Sequence, residues 1–132
     1  MTLDTSALVA LLFAEPGYLD LVDGILQSDT VRVGAPTLVE TSLVFAGRQG
    51  RTARPGADLV ADLIRELGVT VVPFGEPEWH RAADAFARYG RGRHKAALNF
   101  GDCLAYAVAA TADDSLLFVG DDFRHTDIRP AM

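Results

Sequence analysis

Met1-Thr2-Leu3-Asp4-Thr5-Ser6-Ala7 is the stretch that decides how this chain is read: a very short apolar strand runs straight into a helix, with a carboxylate at the junction. In an open α/β sheet such a junction lies outside the carboxyl end of a parallel strand, where ligands bind in the crevice. Asp4 therefore stands on the floor of a candidate site. Asp, Thr and Ser are also ordinary helix N-caps, because a short side-chain oxygen satisfies backbone N–H groups left over in the first turn. Cap or site is decided by whether other acids reach equivalent junctions.

Working outward, the apolar run Ser6 to Phe13, with hydroxyls in front and Pro16-Gly17 behind, predicts a buried helix. A second helix follows from Tyr18 to about Gln27, with Leu19, Val22, Ile25 and Leu26 on one face. Val31 to Val33 reads as a strand, Pro36 opens a helix over Thr37 to Ala46, and Gly47 and Gly50 end it. A polar connection from Gly47 to Gly56 leads to an amphipathic helix from Asp58 to Leu67, then to a β-branched strand from Val69 to Val72. A helix from about Pro77 to Tyr89, a basic loop from Gly90 to Leu98, and a helix Phe100 to Ala112 capped by Asn99 follow. The last buried strand is Leu116 to Val119, and Ile128 marks a short edge strand. The order β-α-α-β-α-α-β-α-α-β predicts a three-layer α/β/α domain over residues 1–132 with a short, mainly parallel central sheet.

Composition bounds the function. At 132 residues, 49% hydrophobic and 23% charged, the chain fits one soluble domain. No apolar run reaches a membrane span, and Met1 leads into the strand without a signal-like segment, which predicts a cytoplasmic protein with no membrane partner. A lone cysteine, Cys103, rules out an internal disulfide or a cysteine zinc cluster and reads as a small buried hydrophobe. The net charge of −6 speaks against nucleic acid, yet four of the twelve basic residues, Arg88, Arg91, Arg93 and Lys95, fall within eight positions. Arg48, Arg51 and Arg54 form a looser group. Such clusters are solvated surface unless they border a site.

Further acids do reach equivalent places. Glu40 follows the second strand, Asp102 opens the helix after the basic loop, and Asp121 or Asp122 follows the last strand. Each has a local explanation: Thr37 and Glu40 match a capping box, Asp102 lies three residues beyond Asn99, and the Asp pair suits a turn. Gathered in one crevice they need another, since two unit negative charges about 4 Å apart repel by roughly 4 kcal/mol at an effective dielectric near 20. A hard divalent cation relieves that repulsion, and an oxygen-only ligand set suits Mg²⁺ or Mn²⁺. Such ions activate water and stabilise both oxygens of an in-line displacement at phosphorus. Asp4 and Asp102 are the leading ligand candidates, with Glu40, Asp121 and Asp122 as ligands or water-orienting groups. Thr5 and Ser6 either hydrogen-bond these carboxylates or cap the helix. Arg91, Arg93 and Lys95 precede Asp102 closely enough to hold a phosphate backbone.

Leu3-Asp4-Thr5-Ser6-Ala7-Leu8, Pro36 through Glu40, Asn99 through Ala107 and Leu116 through Phe123 together resemble the four acidic motifs of the PIN-domain ribonucleases, and more narrowly the VapC toxins. The resemblance runs through essentially the whole chain, in order. It implies a Mg²⁺- or Mn²⁺-dependent endoribonuclease, usually a homodimer, that cuts RNA such as tRNA or rRNA and is held inactive by a VapB-type antitoxin. Asp4, Glu40 and Asp102 carry over as the acidic set, and Asn99 stands where many members carry another Asp.

The alternatives fit less well. A catalytically silent PIN-like module would bind RNA or protein only. A receiver-like phosphotransfer domain needs a lysine near its acceptor, and the single lysine is Lys95 in the basic loop. No Gly-x-Gly-x-x-Gly follows a strand, no Gly-x-Ser-x-Gly occurs, and His80, His94 and His125 have no triad context.

Overall fold

The computed structural model describes residues 1–49 and 56–132. Among them the elements run β1 (Thr2–Leu3), α1 (Thr5–Leu12), α2 (Tyr18–Leu26), β2 (Arg32–Gly34), α3 (Ala35–Gln49), α4 (Gly56–Glu66), β3 (Thr70–Val72), α5 (Glu76–Tyr89), α6 (Phe100–Thr111) and β4 (Leu116–Leu117). A one-turn 3₁₀ helix over Asp122–His125 follows. The four strands form one sheet in the order β3-β2-β1-β4, and every pairing is parallel. The alternation of strand and paired helices is the one the sequence predicts.

Neighbouring residues on a strand face opposite ways, and the sheet uses this to feed two cores. Leu117 joins Leu3, Leu8, Ile25 and Val33 beneath α1 and α2. Leu116 joins Tyr89, Leu98, Cys103, Tyr106 and Phe123 beneath α5 and α6. The buried side of α6 is built from small residues, Gly101, Cys103, Ala105, Ala107 and Ala109 among them, so the helix lies close to the sheet. The fit at β2 is tight: a Cβ on Gly34 would sit 2.8 Å from Val108 Cγ2.

Several boundaries and faces differ from the sequence reading. In α2 the buried residues are Leu21 and Ile25, while Leu19 and Leu26 are 61% and 68% exposed, so the apolar stripe is narrower and rotated. Helix α3 begins at Ala35 and runs through Gly47 to Gln49. Thr37 is therefore inside the helix and caps nothing with Glu40, and its carbonyl accepts from Thr41 Oγ1. Strand β4 stops at Leu117 because Val119 N donates to the Ser6 hydroxyl instead of continuing a ladder. The tail makes one bridge, between Leu116 and Pro130, rather than a strand at Ile128. Gly50, Arg51 and Arg54 lie outside the described residues. No helix among the described residues is long and apolar enough to cross a membrane.

Candidate functional site

Asp4 is both a cap and a buried acid. It follows β1 and caps α1, its Oδ2 accepting from Ser6 N at 2.9 Å and from Ser6 Oγ at 2.5 Å. The Ser6 hydroxyl in turn accepts from Val119 N at 2.9 Å, which ties the ends of β1 and β4 together. Asp4 is only 3% exposed, and its Oδ1 is buried without a hydrogen-bond partner. Buried polar atoms are almost always satisfied, so an orphan carboxylate oxygen calls for a ligand. Burial pushes the Asp4 carboxyl above its ordinary range; hydrogen bonds from Ser6 and Thr5 oppose this, and the Glu40 charge adds to it.

Glu40 and Asp102 close on the same place. Glu40 projects from α3 and accepts from Thr5 Oγ1 at 2.6 Å. Its carboxylate rests against Gly101, where a Cβ would overlap both carboxylate oxygens. Asp102 sits in the first turn of α6, in the box the sequence predicts: Asn99 N donates to Asp102 Oδ2 at 2.7 Å and Asp102 N donates to Asn99 Oδ1 at 3.0 Å. Its carboxyl is pushed up to about 6, first by burial, against the Asn99 hydrogen bond, and then by the charges of Asp4, Asp122 and Glu40. Capping and membership of the acidic group are thus compatible in one residue.

The pair after β4 divides. Asp122 is among the charges felt by Asp102. Asp121 is 83% exposed in its side chain and pairs with Arg124 at 3.2 Å. Thr5, Ser6 and Asn99 thus hydrogen-bond Glu40, Asp4 and Asp102, Asp102 feels the charges of Asp4, Asp122 and Glu40, and Asp121 pairs with Arg124. The charges prominent in shifting Asp4 and Asp102 are all negative. Among the described residues no group of three or more His, Cys, Asp or Glu side chains is already arranged to hold one metal ion. The donor set is all oxygen, and the orphan Asp4 oxygen faces no competing partner, so these residues fit a hard divalent cation such as Mg²⁺ or Mn²⁺.

The basic loop is pinned at its ends by a bridge between Gly90 and Leu98. Arg91, Arg93 and Lys95 are exposed and pair with no carboxylate among the described residues; the Arg93 guanidinium lies 5.3 Å from the Phe86 ring centroid. Arg88 is diverted to Asp84 and Asp127. Arg48 is diverted likewise, to Glu15. Cys103 is buried and free, as expected. Sequence reasoning missed the clearance at Gly101 and the Ser6 bridge to β4; the small residue beside Asp102 was the one available signal for the first.

With this geometry in place, comparison with known proteins is decisive: the PIN domain family profile matches residues 1–129. The chain belongs to that family. Among similar PIN-domain proteins, ribonuclease VapC36 of Mycobacterium tuberculosis is 41% identical over 97% of this chain and 91% of its own length. Ribonuclease VapC of Mycolicibacterium smegmatis is 39% identical over 97% of each chain. In three dimensions the PIN fold here matches the crystal structure of Mycobacterium tuberculosis VapC20, described as a sarcin-ricin loop cleaving toxin, with a TM-score of 0.73 over 98% of each chain at 19% identity. Within the PIN family the chain thus groups with the VapC ribonucleases.

Proposed function

We propose that the protein is a Mg²⁺- or Mn²⁺-dependent endoribonuclease that cuts RNA such as tRNA or rRNA at the Asp4, Glu40, Asp102 and Asp122 crevice, and that a VapB-type antitoxin restrains it. The observation that carries this reading is the buried, unpartnered Oδ1 of Asp4, with the Glu40 carboxylate near enough to raise Asp4 and Asp4 near enough to raise Asp102. When bound, a divalent ion neutralises charge building on the phosphate and makes water a better nucleophile at neutral pH. The chain's own part is orientation: Ser6 fixes Asp4, Thr5 fixes Glu40, and Asn99 fixes Asp102. Arg91, Arg93 and Lys95 offset the repulsion between an acidic crevice and a polyanion.

A homodimer belongs to the same reading. Beside Glu40 and Gly101 opens a groove of about 700 Å³ lined by Pro36, Val39, Leu43, Phe74, Phe100 and Leu104. It continues past Trp79 and Phe86, and Phe100 is 79% exposed. A patch of this kind, shared by three helices, is covered economically by a second copy meeting it across a two-fold axis, and sedimentation velocity measures the mass.

The test is cleavage of end-labelled RNA by metal-stripped protein with and without Mn²⁺. Cleavage that appears only with the ion is expected, and cleavage that ignores the ion overturns the metal assignment. No cleavage in either arm favours the silent module. Replacing Arg91 and Arg93 with Ala should raise KM and reduce the slope of log affinity against log salt by about 1.4, two contacts at about 0.7 each. An unchanged slope removes the loop from the RNA interface.

A further inference from the structure

We propose that Asp127 is a positioning residue: it ties the C-terminal segment carrying Asp122 to the helix carrying Asp102, and so sets the gap between those two carboxylates and the affinity for a divalent ion. This rests on the nuclease reading above.

Asp122 has little support of its own. It opens a single 3₁₀ turn in which Phe123 is the buried side chain, its ring tilted against that of Phe118 with centroids 5.1 Å apart. Ile128 is a second apolar peg. Apolar burial is non-directional, so pegs of this kind set the depth of the segment. Its far end is hydrogen-bonded to β4 by Leu116 N donating to the Arg129 carbonyl and Ala131 N to the Leu116 carbonyl, at 2.9 Å each, contacts that do not reach α6. A directional tie comes from Asp127, whose Oδ1 accepts from Tyr106 OH at 2.7 Å. Tyr106 is 5% exposed and lies four residues beyond Asp102, one turn along the same face of α6. From the other side Arg88 Nη2 donates to Asp127 Oδ2 at 2.8 Å and to Tyr89 OH at 2.5 Å. Arg88 is the penultimate residue of α5, two positions before the basic loop begins at Gly90. One carboxylate thus joins the helix bearing Asp102, the root of the basic loop and the segment bearing Asp122. Burial alone would raise the Asp127 carboxyl, yet the bonds from Tyr106 and Arg88 outweigh it and hold the group below its ordinary range. The Arg88 arm of this node is about half exposed and solvent-screened, so the directional constraint falls chiefly on the bond from the buried Tyr106.

Calorimetric titration of the metal-stripped full chain with Mn²⁺ tests the assignment, because it reads ion affinity without RNA or turnover. Tyr106→Phe keeps the ring and removes only the hydroxyl. It and Asp127→Ala should each weaken Mn²⁺ binding, by up to about tenfold, as partners outside the ligand set commonly do. The double variant should bind no worse than Asp127→Ala, since both remove one shared bond. Ile25→Val, in the core under α2, is the control: it lowers Tm and should leave Mn²⁺ affinity unchanged. Wild-type affinity in Asp127→Ala and Tyr106→Phe, or equal weakening in Ile25→Val, overturns the positioning role while leaving the metal site standing. Wild-type protein that takes up no Mn²⁺ overturns the nuclease reading itself, and the positioning role with it.

Discussion

The two ends of one sheet treat the same residue type in opposite ways. At the amino end, Asp114 precedes β4 and is saturated: Ser115 N donates to Oδ1 at 2.9 Å, Thr2 Oγ1 donates to Oδ2 at 3.2 Å, and the Met1 ammonium lies 3.3 Å from Oδ2. Arg32 Nε is 3.1 Å from the same oxygen, an attraction of charge rather than an aligned hydrogen bond. At the carboxyl end, two residues beyond Thr2, Asp4 has Ser6 on one oxygen and no partner on the other. Asp4 follows the central strand β1 and is 3% exposed, while Asp114 precedes the edge strand β4 with its side chain 16% exposed. Burial does not explain why the more deeply buried acid is the one left with an unpartnered oxygen. Counter-charge does. An acid that holds the fold together arrives with its cations, and an acid that awaits a ligand arrives without them.

The largest effect that can break this contrast is Asp4→Asn. The amide oxygen can still accept from Ser6, and the amide nitrogen replaces the orphan oxygen, so Tm should hold or rise while Mn²⁺-dependent RNA cleavage falls by more than about 100-fold. A large Tm loss would make Asp4 structural. Asp114→Asn should do the reverse: about 2 kcal/mol of stability lost to denaturant, the range for hydrogen bonds to a charged group, with kcat per folded molecule unchanged. Gly101→Ala sharpens the comparison further. Its Cβ takes the space of the Glu40 carboxylate, the far end of a flexible side chain, so folding should survive and cleavage should drop by about tenfold.

The smallest effect is a slope. Asp102 titrates near 6 when folded against 3.8 when unfolded, so between those values the folded chain holds more protons. Stability then falls as pH rises through that window. Metal-free protein should lose Tm between about pH 4 and 6 more steeply than Asp102→Asn. Identical slopes would mean that neither burial nor the neighbouring acids raise the Asp102 carboxyl.

Much of this was legible in the residues. Helix order followed from period and caps, and the β1–α1 junction at Asp4 drew attention to the right end of the sheet. What escaped had long-range causes. The apolar run Leu116 to Val119 could not announce that Ser6, more than a hundred positions earlier, would take Val119 N and shorten the strand. Leu19 and Leu26 match helical spacing as well as Leu21 does, and which stripe is covered depends on where β1 and β2 lie. The different surroundings of Asp121 and Asp122 come from one 3₁₀ turn that sets the first against Arg124. Asp127, paired with residues 39 and 21 positions away, left no local trace.

The Ser6 hydroxyl gives its single hydrogen to Asp4 and receives one from Val119, so it has nothing further to trade. Whatever reaches Asp4 from outside must therefore come to the other oxygen. That makes the residue a handle with one grip, aimed before any visitor arrives, and a visitor's orientation is decided by the backbone of β4 as much as by the acid it touches.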